Sequence, residues 1–174
     1  MSMFAQFSYA QTIETEEEYI AIYDRLVSRF REAEKEKDSM VGKSFSEFVS
    51  FLDKHDLKIK RVMWQYEDDP RYLTTVHGLY LWFTTREEQG FSSSRGMTQP
   101  TISLFFKEGL PYDRALELLR KYDSYFEEEV EAFYADAIIE HIVEFFIPED
   151  VYNMHLRNLM IERGTFPKQK ETLK

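Results

Sequence analysis

Residues 57–85 read LKIKRVMWQYEDDPRYLTTVHGLYLWFTT, and their reading decides the fold. Leu57 and Ile59 alternate with Lys58 and Lys60, after which Val62, Trp64 and Tyr66 become the apolar set. Alternation marks a half-buried strand, and the one-residue change of phase predicts a bulge near Arg61. Glu67-Asp68-Asp69-Pro70 reads as a turn. Tyr72 to Thr85 reads as a second, long strand, rich in aromatic and β-branched residues. Gly78 in its middle marks a bulge or a close backbone approach. Two strands joined with no room for a crossover helix must pair antiparallel.

Upstream, Thr15-Glu16-Glu17-Glu18 has the form of a capping box. Tyr19, Ile22, Tyr23, Leu26, Val27 and Phe30 then fall on one helical face, predicting a helix to about Lys37. A second box, Ser44-Phe45-Ser46-Glu47, opens a short helix carrying Phe45, Phe48, Val49, Phe51 and Leu52 and ending near His55. Downstream, Arg86 to Gln99 reads as a loop with two glycines and the run Ser92-Ser93-Ser94. Thr101 to Phe106 is a third strand. Gly109-Leu110-Pro111 starts a helix with Pro111 in its first turn. Ala137 to Ile147 fits a buried helix or a buried strand; its β-branched content and the stop at Pro148 favour the strand. Glu149 to Arg163 reads as a closing helix. The expected fold is α+β: an antiparallel sheet of about four strands, helices on one face, order ααβββαβα. Residues 12–165 form one domain, and 166–174 are a polar tail.

The 174 residues include no cysteine, which removes disulfides, thiolate nucleophiles and Cys-based zinc or iron–sulfur sites. Aromatic residues make up 16%, too many for a disordered chain. No stretch reaches the roughly 18 apolar residues of a membrane helix. The first eleven residues resemble the tail of a secretory signal peptide: apolar Met3–Phe7, then Ser8 and Ala10 two apart. Export, with a mature start at Gln11, is the expectation. The net charge of −10 is concentrated. Asp123 to Asp150 holds ten acids and no Lys or Arg, while the rest of the chain is neutral. Such a segment repels phosphate and anionic membranes and attracts a basic protein.

Motifs for chemistry are sparse. Gly42-Lys43-Ser44 has the closing residues of a phosphate-binding loop, but Lys37 stands where the motif needs glycine, and a helix stands where it needs a strand. It reads as the start of a helix with Ser44 as N-cap. His55, His77, His141 and His155 show no metal-ligand spacing. No catalytic, metal or cofactor site is expected. The candidate contact residues are Phe91, Arg95 and Met97 in the 86–99 segment, and Glu127, Glu128, Glu129 and Glu131 in the acidic one. The expected function is non-enzymatic protein binding, by an exported chain. A narrower version is an inhibitor or immunity-type protein acting on a basic enzyme or toxin. A small hydrolase using Asp, Glu and His is the rival class.

Overall fold

The computed structural model describes residues 16–64, 74–93 and 99–146. Its centre is one antiparallel sheet of four strands in the order β1-β2-β3-β4. These are β1 (Arg61–Trp64), β2 (Thr75–Trp82), β3 (Thr101–Pro111) and β4 (Ile139–Phe146). Register places Trp64 opposite Leu79, Leu79 opposite Leu104 and Leu104 opposite Ile142, one row of apolar residues across the sheet. Val62, Leu81, Ile102 and Phe145 form the next row. Both rows point to the same face, because alternate residues of a strand share a face.

Helices α1 (Glu16–Glu34), α2 (Phe45–Lys54), α4 (Tyr112–Lys121) and α5 (Glu128–Tyr134) pack on that face. Helix α1 buries Tyr23, Phe30 and Ala33, and the Phe30 ring meets Phe83 edge-on at 4.7 Å and Phe145 at 5.9 Å. Helix α2 begins at the Ser44 cap, where the Ser44 hydroxyl accepts from the Glu47 amide and the Glu47 carboxylate accepts from the Ser44 amide. Its first residue, Phe45, sits fully buried among Phe48, Phe106, Phe126 and Tyr134. Tyr134 of α5 stacks on Phe106. Burial pushes its phenol up to about 12, and the Trp64 side chain is its hydrogen-bond partner.

Both outer strands are stitched to distant parts of the chain. On β1, the Val62 amide donates to the Ser124 carbonyl, and the Phe126 amide donates to the Lys60 carbonyl. On β4, Ile139 donates to the Lys43 carbonyl and accepts from the Gly42 amide. A short 3-10 helix, η1 (Lys37–Met40), precedes that second stitch.

The α+β class, the antiparallel sheet and the helical layer agree with the sequence reading, and so does a strand within the 137–147 segment, where β4 covers Ile139–Phe146. Several details differ. Arg86 to Gln99 is not simply a loop: Arg86–Ser93 is a helix, α3. The cause is a capping box at Thr85, whose hydroxyl accepts from the Glu88 amide while the Glu88 carboxylate accepts from the Thr85 amide. Helix α5 is likewise additional. The first strand starts at Arg61 rather than Leu57, and the end expected for it at Tyr66 lies outside the described residues. Leu57 is buried but lies outside the sheet, so the phase change at Arg61 marks where the strand begins. The third strand continues past Phe106 to Pro111. Gly78 serves both purposes expected of it. The β2–β3 register shifts beside it, and an added Cβ would lie 2.9 Å from the Phe105 ring. The Thr15 cap, the 149–163 helix, the 1–11 segment and the 166–174 tail lie outside the described residues.

Candidate functional site

The acidic segment is built from the end of α4, a strained turn, α5 and β4. Helix α4 closes at Tyr122, and the chain reverses through Asp123 and Ser124, both at positive φ (51° and 69°). That left-handed conformation costs a non-glycine residue about 1–2 kcal/mol. It is held by the Ser124 amide bonding to the Leu119 carbonyl and by the Ser124 carbonyl accepting from Val62. The turn sets the Asp123 carboxylate 2.6 Å from the Arg86 guanidinium on α3. One of the ten acids is thereby neutralised by a base from the other candidate segment.

Glu129 is a second neutralised acid. Its two carboxylate oxygens accept from Arg114 at 2.6 Å, from Lys121, and from the Tyr122 hydroxyl at 2.5 Å. The bonds from Lys121, Tyr122 and Arg114, in that order of weight, hold its carboxyl down at about 2. Glu129 therefore clamps α5 to α4 and is not a free contact residue.

The other acids differ. Glu127, Glu128, Asp136, Glu140 and Glu144 are exposed and Glu131 is half-buried. Among the described residues none of the six has a Lys or Arg ion-pair partner. Glu127 and Glu128 stand at the start of α5, where the helix dipole favours negative charge. Glu140 and Glu144 stand on β4, with His141 between them stacked on Phe105 at 4.9 Å.

The Arg86–Gln99 segment holds a chain of buried polar groups. Thr84 bonds to Gln99, the Gln99 amide donates to the Ser92 hydroxyl at 2.8 Å, and Ser92 donates to the Gln89 carbonyl at 2.9 Å. The Gln89 side chain accepts from Arg61. These bonds anchor α3 against the sheet edge. Arg61 lies over the Trp82 ring at 5.4 Å, and its Nε is buried without a hydrogen-bond partner. Burial, then the nearby Arg86, lowers its affinity for the proton. Phe91 is half-buried on α3 and has contacts of its own. Arg95 and Met97 lie outside the described residues. The structure thus brings Arg86 of the one candidate segment to Asp123 of the other.

Two hollows of about 390 Å³ each open among the described residues. One, between η1 and α2, is lined by Glu36, Lys43, Glu47, Lys54 and His55. Its Glu47 carboxyl is pulled below the usual range by the Ser44 backbone and side chain, which is the cap itself. The other lies where β3 meets the α5–β4 connection, with Lys107, Glu108, Phe133 and Asp136 on its walls. His55 packs against Phe51, and His77 bonds to Thr75. His155 lies outside the described residues. No group of three or more His, Asp or Glu converges as metal ligands would among the described residues. Gly42-Lys43-Ser44 is engaged in the stitch to Ile139 and the cap of α2, as its reading as the start of a helix requires.

Glu140 and Glu144, which sequence reasoning weighed only as metal ligands beside His141, stand exposed on β4, and they belong to no ligand cluster among the described residues. None of the described helices is long and apolar enough to cross a membrane. Compared with protein-family models, with curated proteins and with solved structures, the chain matches none.

Proposed function

We propose that this chain is an exported, non-enzymatic binding protein whose acidic segment recognises a basic protein partner. The observation that supports the reading most is the set of six acids, Glu127, Glu128, Glu131, Asp136, Glu140 and Glu144, which have no Lys or Arg partner among the described residues. Several bases elsewhere are consumed by other acids: Lys43 by Glu47, Lys58 by Asp53, Arg29 by Asp56. Uncompensated charge on two consecutive elements attracts an oppositely charged protein over about 8–10 Å at moderate salt. It acts chiefly on the rate of encounter. A basic enzyme or toxin held by an inhibitor or immunity-type protein is the narrower form of the same idea. The segment Arg86–Gln99 contributes through Phe91, Arg95 and Met97.

Capture from a native cell-envelope extract at low salt, followed by kinetics with the purified partner, tests it. The triple variant Glu127→Gln, Glu128→Gln, Glu131→Gln leaves the Glu129 clamp intact. It should slow association about tenfold at low salt, the order of effect that removing several steering charges has. An acidic partner, or an unchanged association rate, overturns the proposal. Export is tested separately by sequencing the N-terminus of the native protein. It should begin at Gln11, and an intact Met1 on cytoplasmic protein would refute that part.

A further inference from the structure

We infer that the outer edge of β4 is a docking site for an extended basic segment of the partner, which adds to the sheet as a fifth strand. The inference rests on the basic-partner reading above and supplies its mode of recognition.

An edge strand exposes unpaired main-chain groups, and proteins normally cover them. Among the described residues both edges are covered over part of their length. On β1 the cover is made by Ser124 and Phe126, which bond to Val62 and Lys60. On β4 the cover ends at Ile139, which exchanges both its main-chain bonds with Gly42 and Lys43. Upstream of Gly42 the chain bonds to itself, Val41 to Asp38 and Ser39 to Glu36, and the ladder is not continued.

The orientation of the remaining edge follows from the register. Ile139 faces Phe106, Ile142 faces Leu104 and Phe145 faces Ile102. Register shifts leave Glu140 and Val143 as the extra residues of two bulges. Along β3 these partners are two apart, and pair types in an antiparallel ladder alternate with that period. Ile142 and Phe145 therefore repeat the outward-pointing amide and carbonyl of Ile139. The three positions are spaced as in a regular strand, so an ordinary extended segment can pair with them. Among the described residues nothing bonds to the main chain of Ile142 or Phe145 on that side.

The chemistry of the occupant follows from the side chains. Val143 is 51% exposed, and Glu140, His141 and Glu144 are exposed around it. Lys37 and Lys43 are taken by Glu34 and Glu47, and Lys107, whose amide bonds to Ile138 beside the strand, makes no ion pair with Glu140 among the described residues. A second copy of this chain would set Glu140 and Glu144 against their equivalents, with a charge of −10 on each molecule. A strand alternating basic and β-branched residues fits instead, because opposite charges across a ladder attract and like charges repel.

The test uses the full chain and a synthetic peptide of about nine residues alternating lysine and valine, long enough to run the edge. A second peptide has every main-chain amide methylated, so it keeps its charge and loses its donors. The plain peptide should bind at least tenfold more tightly than the methylated one. It should also slow hydrogen exchange at the Ile142 and Phe145 amides, and Glu140→Gln with Glu144→Gln should weaken it. Equal binding of both peptides with unchanged exchange at those amides overturns edge pairing and leaves the basic-partner reading standing. Failure of both peptides to bind at low salt overturns both. A free-chain dimer whose Ile142 amide is already protected assigns the edge to a second copy, and overturns the inference as well.

Discussion

Replacing Phe45 by alanine should remove the keystone between α2, the sheet and α5. Phe45 is fully buried, and its ring lies 5.8 Å from Phe106, 5.9 Å from Tyr134, 6.1 Å from Phe126 and 6.3 Å from Phe48. Truncating a buried Phe to Ala costs about 3–5 kcal/mol, as lost transfer energy plus the cavity left behind. Edge-to-face pairs add about 0.5–1.5 kcal/mol each beyond area, with overlap. With three of the four contacts made edge-on by Phe106, Phe126 and Tyr134, the upper part of the range applies: about 4–5 kcal/mol. Domains hold only about 5–15 kcal/mol in all, so the variant should be marginal. Phe45→Leu refills most of the volume and should cost about 1–2 kcal/mol, since only ring contacts are lost. The main-chain bond from the Phe45 amide to the Ala137 carbonyl persists in both. Urea unfolding followed by far-UV circular dichroism gives the values. A loss below about 1 kcal/mol for alanine, or equal losses for alanine and leucine, would refute the claim that this ring centres the core.

Ser44→Ala should lower stability by about 1 kcal/mol through loss of the α2 cap, whereas the exposed control Lys35→Ala should stay within about 0.5 kcal/mol; equal midpoints would show that the cap carries no weight. Glu129 has a folded acidity of about 2, below its unfolded value, so its contribution is present above the ordinary carboxylate range and is lost as pH falls toward 2. Denaturation midpoints of Glu129→Gln and wild type should therefore differ at neutral pH and converge in acid; parallel curves would remove the clamp. Gly78→Ala should destabilise by about 1–3 kcal/mol, because its Cβ meets the Phe105 ring, and an unchanged thermal midpoint would contradict that approach. In limited tryptic digestion the bond after Arg86 should resist, since the side chain pairs with Asp123 and opens α3; first cleavage at that bond would deny the helix.

How much was legible varied with how local each signal is. Ser44 and Glu47 lie three apart, and the α2 cap could be read directly. The box at Thr85 and Glu88 has the same form, but the glycine and serines that follow it masked the helix it starts. Helix α5 carries Val130, Phe133 and Tyr134 at helical spacing, a signal outweighed by its acids. β4 was ambiguous for a physical reason. Two bulges put Ile139, Ile142 and Phe145 on the core side, a spacing of three that lies nearer a helix than a strand. Acid pairing was not legible, because Arg86, Arg114 and Lys121 reach the acidic run only once the chain has folded back.

The stitches on the sheet's two outer strands have a consequence for how the chain is made. Lys60 and Val62 wait for Ser124 and Phe126, and Gly42 and Lys43 wait for Ile139. A ribosome that has released only the first hundred residues has made both early halves of these contacts and neither late half. Contacts between residues far apart in sequence slow folding and make it cooperative. The nascent N-terminal half should therefore stay open, with β1 and α2 unsecured, until the last strand emerges. An N-terminal fragment ending at Lys121 should have no unfolding transition of its own. A chain that stays open until synthesis ends is, for the same reason, one that a translocation channel can still thread, as the proposed export requires.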